Sequence, residues 1–213
     1  MQIKLCGFSE PETIKTAINF GCNFIGIVFV KNSIRYVDPN TSKSLSTIIP
    51  EHVYKVAVIA NETLENLEII NQNFQPNFFQ LHGDEDVEYV EKLTKKFPNI
   101  AIIKALAVST QIDLEKIKIF EKYVNYFLLD NKNPGSGDSF DWNILKNFKS
   151  SKPYFLSGGI NISNIDEAIK IVNPELIDIS SGIEEKRGIK SSKLIIDILQ
   201  KIKSINDNRY NKI

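Results

Sequence analysis

Short runs of apolar residues alternate along the chain with longer segments in which apolar positions recur at helical spacing. Residues 3–7 (IKLCG) are strand-like, and residues 10–20 have a helical period. The same alternation pairs 23–29 with 39–49, 54–59 with 62–74, 78–81 with 84–97, and 100–106 with 111–122. It continues with 126–129 and a short helix at 142–148, 154–156 with 163–172, and 176–179 with 191–202. Pro39 suits the first turn of its helix.

That makes eight strand–helix units, with strand ends near Cys6, Phe29, Ile59, Leu81, Ala105, Leu129, Leu156 and Ile179. The spacing averages about 25 residues, near the minimum for a parallel strand–helix–strand crossover. Strands apolar on both faces, alternating with helices, predict a parallel sheet covered by helices. Eight units predict closure into a (β/α)8 TIM barrel, a single α/β domain over residues 1–203. The remaining residues, 204–213, are expected to form a polar, frayed C-terminal tail. An open doubly wound sheet is the alternative. It would want fewer strands and a G-x-G-x-x-G after the first one, which the sequence lacks.

Charge and composition narrow the function classes. The 213 residues carry 26 basic and 26 acidic side chains, so no cationic excess is available to neutralise a nucleic-acid backbone. No run approaches the ~20 apolar residues of a membrane span, and the N-terminus lacks the order of a signal peptide. Cys6 and Cys22 are too few for a disulfide framework, and His52 and His82 have no zinc-type spacing. The expectation is a cytoplasmic, metal-free protein acting on a small molecule, with no nucleic-acid or membrane partner and an oligomeric state that the sequence leaves open.

In a barrel, chemistry gathers at the C-terminal ends of the strands. Cys6 ends the first strand. It reads either as a small buried thiol or as a base or nucleophile, favoured by Lys4 two residues earlier on the same face. Asp130 ends the sixth strand and reads either as a loop cap or as a half-desolvated general acid. Ser157-Gly158-Gly159 and Ser180-Ser181-Gly182 end the last two strands, where barrels often hold phosphate. Arg35, in the loop after the second strand, is either solvated or placed to meet a carboxylate. Gln80 and His82 share a face at the fourth strand end, as rim pair or ligand contacts. Asp178 and Ser180 share a face of the eighth strand, and Asp178 could equally organise the barrel interior. Trp142 reads as a packing anchor.

Seven blocks in this order resemble the phosphoribosylanthranilate isomerase family of tryptophan biosynthesis. They are Lys4-Leu5-Cys6-Gly7; Gly26-Ile27-Val28-Phe29 followed by Ser33-Ile34-Arg35-Tyr36-Val37; Gln80-Leu81-His82-Gly83-Asp84-Glu85; Leu128-Leu129-Asp130; Gly135-Ser136-Gly137 with Phe140-Asp141-Trp142; Leu156-Ser157-Gly158-Gly159-Ile160; and Asp178-Ile179-Ser180-Ser181-Gly182-Ile183-Glu184. The resemblance implies a (β/α)8 barrel performing an Amadori rearrangement of N-(5-phosphoribosyl)anthranilate to 1-(2-carboxyphenylamino)-1-deoxyribulose 5-phosphate. It implies Cys6 as general base, Asp130 as general acid and Arg35 at the anthranilate end. Gln80, His82 and Asp178 would be further substrate contacts, with phosphate held at Gly158, Gly159, Ser180, Ser181 and Gly182 and no cofactor. The loop after the sixth strand, 131–138, is shorter than the family commonly has. The related isomerase of histidine biosynthesis uses an Asp at the end of the first strand, where this chain has Cys6. A ligand-binding barrel without activity would be expected to have lost the acid–base pair.

Overall fold

The computed structural model describes residues 1–132, 137 and 139–210. Eight parallel strands pair in sequence order and close on themselves: β1 (Gln2–Cys6), β2 (Phe24–Val28), β3 (Tyr54–Ile59), β4 (Phe78–Leu81), β5 (Ala101–Ala107), β6 (Tyr126–Asp130), β7 (Tyr154–Leu156) and β8 (Leu176–Ile179). Closure is direct. β8 lies beside β1 with Gln2 opposite Leu176 and Leu5 opposite Ile179, so neither strand is an edge. This pairing decides for the TIM barrel over an open sheet.

The two-residue period of a strand sorts the side chains. Ile3 and Leu5 point out to the helices, while Lys4 and Cys6 point into the barrel. The inward positions build a floor of rings. Phe24, Phe78 and Phe155 meet edge to face, and Tyr54 and Tyr126 close the cluster around Phe78. Above that floor lie Val56, Val58, Ile103, Ala105 and Leu128. The floor shuts the lower end, so the open end of the barrel is where the strands finish.

The outer layer contains α1 (Pro11–Asn19), α2 (Ser42–Ser46), α3 (Leu64–Phe74), α4 (Val87–Lys96), α5 (Lys116–Phe120), α6 (Ile165–Val172) and α7 (Ser192–Tyr210). Their ends follow local chemistry. Pro11 opens α1, and the Thr63 and Asp86 side chains accept from the backbone N–H groups of Asn66 and Tyr89 at the starts of α3 and α4. α3 and α6 end on left-handed Gln75 and Asn173. None of the described helices is long and apolar enough to cross a membrane.

Four segments differ from the sequence reading. The helix expected over 39–49 is only α2, because the Ser42, Ser44 and Thr47 hydroxyls donate to carbonyls three residues back and compete with the helix. The segment expected as one helix over 111–122 begins as a 3-10 turn, Gln111–Glu115, and becomes α5 only at Lys116. There Asp113 gathers the N–H groups of Ser109 and Thr110 into a tight cap. The helix expected over 142–148 is a 3-10 turn, Trp142–Leu145. The tail expected to fray from residue 204 instead continues α7 to Tyr210, and Asn206 Nδ2 donates to the Met1 carbonyl. Residues 211–213 of that tail lie outside the described residues. A hairpin that the sequence reading did not anticipate, β9 (Glu184–Lys186) with β10 (Ile189–Lys190), follows β8 over the barrel mouth.

Candidate active site

The open end of the barrel holds a cavity of about 380 Å³. Its walls include Cys6, Arg35, Gln80, His82, Asp130, Gly158, Gly159, Asp178, Ser180 and Ser181, so ten of the sequence-derived site residues meet in one place. Gly182 does not reach the wall. A side chain there would collide with the Ile160 carbonyl and would lie 2.9 Å from the Asn161 Cα, so its bareness lets the loop after β8 press on the loop after β7. Of the quoted Gly135-Ser136-Gly137 block, Gly137 lines the cavity, while 135 and 136 lie outside the described residues.

Cys6 is the last residue of β1, beside Gly26 of β2 in the register of the sheet. Lys4, one inward position below, is fully buried and donates to Asp178 Oδ1 at 2.7 Å. The two are strand neighbours, so the pairing follows from the β1–β8 register. Asp178 Oδ2 also lies 3.3 Å from the donating Ser157 hydroxyl. Both carboxylate oxygens are thereby engaged by the barrel interior. Burial pushes the Cys6 thiol above its ordinary range; Lys4 and, behind it, Lys190 pull against that, and Asp178 adds to the rise. Burial by itself would lower the Lys4 ammonium, but Asp178 holds it above its usual value. The lysine below the sulfur therefore supplies a cation that Asp178 largely cancels.

Across the mouth, Asp130 ends β6. Its Oδ1 accepts the Asn131 N–H at 2.8 Å, and its Oδ2 lies 3.5 Å from His82 Nε2. Gln80 Nε2 is 2.9 Å from His82 Nδ1. With the Gln80 amide donating to Nδ1, the ring proton sits on Nε2, facing Asp130. The loop that carries His82 is tied down by Glu85, which accepts from the Asn61 and Gly83 N–H groups and from the buried Lys104 ammonium at 2.7 Å. A second cavity of about 400 Å³ lies behind His82 and Asp130, lined by Glu85, Lys104, Lys116 and Phe120; Cys6 is absent from its walls.

Gly158 and Gly159 turn with φ of 87° and 63° at the end of β7, a conformation that glycine adopts without strain. They and Ser181 bring backbone to the cavity wall with little side chain in the way. Ser180 Oγ donates to the Cys6 carbonyl at 3.2 Å and so links the ends of β1 and β8.

Arg35 is buried at 8% exposure, and its Nε and Nη2 donate to the two oxygens of Glu184 at 2.6 and 2.8 Å. Lys190 donates to the same carboxylate at 2.8 Å and to the Ser180 carbonyl at 2.9 Å. Burial would raise the Glu184 carboxyl, but Arg35 and Lys190 hold it down to about 2. Glu184 and Lys190 carry no role in the sequence reading. Glu184 closes the last of the resembling blocks, which is the one signal available for it, and Lys190 lies beyond every block. Among the described residues no group of three or more His, Cys, Asp or Glu side chains could hold a metal ion.

Comparison with known proteins follows this geometry. Residues 3–201 match the family model described as N-(5'-phosphoribosyl)anthranilate (PRA) isomerase. The chain is 36% identical over 208 residues to the N-(5'-phosphoribosyl)anthranilate isomerase of Zymomonas mobilis subsp. mobilis, covering 95% of this chain and 98% of that one. It is 34% identical over 209 residues to that of Thermotoga neapolitana, covering 96% and 100%. Among solved structures, the phosphoribosyl anthranilate isomerase of Thermotoga maritima superposes with a TM-score of 0.87 at 32% identity, over 96% of this chain and 99% of that one. A phosphoribosyl anthranilate isomerase in complex with reduced 1-(o-carboxyphenylamino)-1-deoxyribulose 5-phosphate superposes with a TM-score of 0.84 at 30% identity, again over 96% and 99%.

Proposed function

The chain belongs to the N-(5'-phosphoribosyl)anthranilate isomerase family, and on that premise we propose that Cys6 is the general base and Asp130 the general acid of its isomerisation. The enzyme serves tryptophan biosynthesis. Its substrate is an aminoaldose whose furanose ring must open before the carbon skeleton can rearrange. The observation that carries the assignment is that a thiol and a carboxyl from β1 and β6 line the same cavity at the barrel mouth.

Asp130 gives a proton to the ring oxygen, and the C1–O bond breaks with its electron pair on that oxygen. The nitrogen lone pair forms the C1=N bond, leaving an iminium cation. That cation withdraws electrons from C2 and acidifies its hydrogen. Cys6, in its thiolate form, removes the C2 proton; the C–H electrons form the C1=C2 bond and the C1=N pair returns to nitrogen, giving an enolamine. Protonation at C1 by the Cys6 thiol and loss of the C2 hydroxyl proton to the Asp130 carboxylate then give the aminoketose. The protons gained and lost by the two residues balance over the cycle. Each proton transfer contributes roughly 10²–10⁴-fold. Oδ1 of Asp130 accepts the Asn131 N–H, so we assign the acid proton to Oδ2, which lies 3.5 Å from His82 Nε2.

The anionic ends of the substrate orient it. Gly158, Gly159 and Ser181 offer backbone N–H groups to the phosphate, with Ser180 beside them and Gly182 holding the two loops together. Arg35, in the loop after β2, meets the anthranilate carboxylate. Gln80 and His82 support the middle of the molecule, and Asp178 acts through Lys4 below Cys6. The two unpaired, buried thiols support a reducing, cytoplasmic setting.

The test is an assay following the loss of fluorescence of freshly prepared phosphoribosylanthranilate. The purified chain consumes it, while Cys6→Ala and Asp130→Asn fall at least 100-fold with folding retained. Full activity in either variant removes that residue from its role.

A further inference from the structure

Glu184 is not among the residues lining the cavity, yet its carboxylate accepts four hydrogen bonds. Oε1 takes the Arg35 Nε–H at 2.6 Å and the Lys190 ammonium at 2.8 Å. Oε2 takes Arg35 Nη2 at 2.8 Å and the Gly188 N–H at 3.0 Å. With its side chain only 4% exposed and both oxygens doubly engaged, it has nothing left for a ligand. Arg35 is different. A guanidinium has five N–H groups; two go to Glu184, and three remain on a residue that lines the cavity.

The pair is packed against the end of β1. A Cβ on Gly7 would fall 2.7 Å from Arg35 Cδ and 3.1 Å from the Lys190 ammonium, so the cluster lies directly on the bare backbone after β1. Gly7 also turns with φ of 85°. The charges do not cancel: two buried cations share one carboxylate, and one positive charge is left over.

We infer that Glu184 is a positioning residue that gives the site its preference for a carboxylated ring. It clamps one edge of the Arg35 guanidinium so that the other edge is presented to the cavity. This rests on the proposed meeting of Arg35 with the anthranilate carboxylate. A planar two-pronged donor held by one edge meets a second carboxylate in a fixed orientation, whereas a free arginine would have to be ordered at each binding event.

The experiment compares two ligands by calorimetry: reduced 1-(o-carboxyphenylamino)-1-deoxyribulose 5-phosphate, and the same compound without its ring carboxylate. The unmodified protein is expected to prefer the carboxylated ligand at least tenfold. In Glu184→Gln that preference falls at least threefold, while the Kd of the carboxyl-free ligand stays within threefold. An unchanged preference in Glu184→Gln, or one that rises because a negative charge has been removed beside two cations, overturns the inference and leaves the Arg35 assignment standing. Equal weakening of both ligands also overturns it, since that marks a general structural role. No preference in the unmodified protein removes the Arg35 assignment itself, and the inference with it. Should Glu184→Gln not fold, Glu184→Asp makes the same comparison. It keeps the charge but is too short to hold both nitrogens, so its preference lies below that of the unmodified protein; an equal preference overturns the inference.

Discussion

The sulfur of Cys6 lies against the bare Cα of Gly26: a Cβ built there would be 2.7 Å from Sγ and 3.1 Å from the Cys6 Cα. The two residues are opposite each other in the β1–β2 register, both on inward positions. Glycine at 26 is therefore what lets a thiol occupy the mouth of β1. Gly26→Ala is expected to displace Cys6 and to cut kcat at least 100-fold. The overpacking should cost about 1–3 kcal/mol of stability. Urea unfolding beside the fluorescence assay checks both, and wild-type kcat in a folded Gly26→Ala protein would contradict it.

The Lys4–Asp178 pair is buried on both sides, with side chains 0% and 5% exposed. Removing one partner leaves a charge without compensation inside the barrel. Lys4→Met should therefore destabilise the protein by about 3–5 kcal/mol. Lys4→Met combined with Asp178→Leu should recover much of that loss without recovering activity. Denaturant midpoints for the single and double variants decide the point.

Burial raises the Cys6 thiol, and Lys190 is one of the cations that oppose the rise. In a Cys22→Ser background, alkylation of Cys6 by iodoacetamide should titrate with a midpoint above the ~8.5 of a free thiol. Lys190→Met removes a cation and should move that midpoint further up. A midpoint below neutrality, or a downward move in the variant, would contradict the electrostatic account.

Glu184 has its carboxyl depressed from 4.5 to about 2 in the folded protein. A depressed carboxyl adds stability above its unfolded pKa and loses it as pH falls through the folded one. The stability difference between the unmodified protein and Glu184→Gln should accordingly be full above about pH 4.5 and shrink towards pH 2. Thermal unfolding at a series of pH values measures it; a difference that grows on acidification would reverse the sign.

Much of this was readable along the chain because a strand repeats every two residues. The pairs Lys4 with Cys6, Gln80 with His82, and Asp178 with Ser180 were placed on shared faces by counting alone, and all six residues face inward. Four of the strands, β3, β4, β7 and β8, run over the expected residues, because their apolar runs are flanked by polar ones. Contacts made only by closure were not readable. That Lys4 meets Asp178 depends on the β1–β8 register, 174 residues apart. That Arg35 is clamped by Glu184 depends on a hairpin whose charges resemble those of a solvated turn. The end of α7 is not legible for a similar reason: its residues are mostly polar, and Asn206 bonds to Met1 at the other end of the chain.

The central claim is that one sugar lies between Cys6 and Asp130. A crystal structure of the protein with reduced 1-(o-carboxyphenylamino)-1-deoxyribulose 5-phosphate measures it directly. The expected result puts Cys6 Sγ within about 3.5 Å of C2 and Asp130 Oδ2 at a similar distance from the former ring oxygen. The phosphate then lies on the Gly158–Gly159 and Ser181 backbone. A ligand seated in the second cavity behind His82, or one with its phosphate at Arg35, would contradict the account.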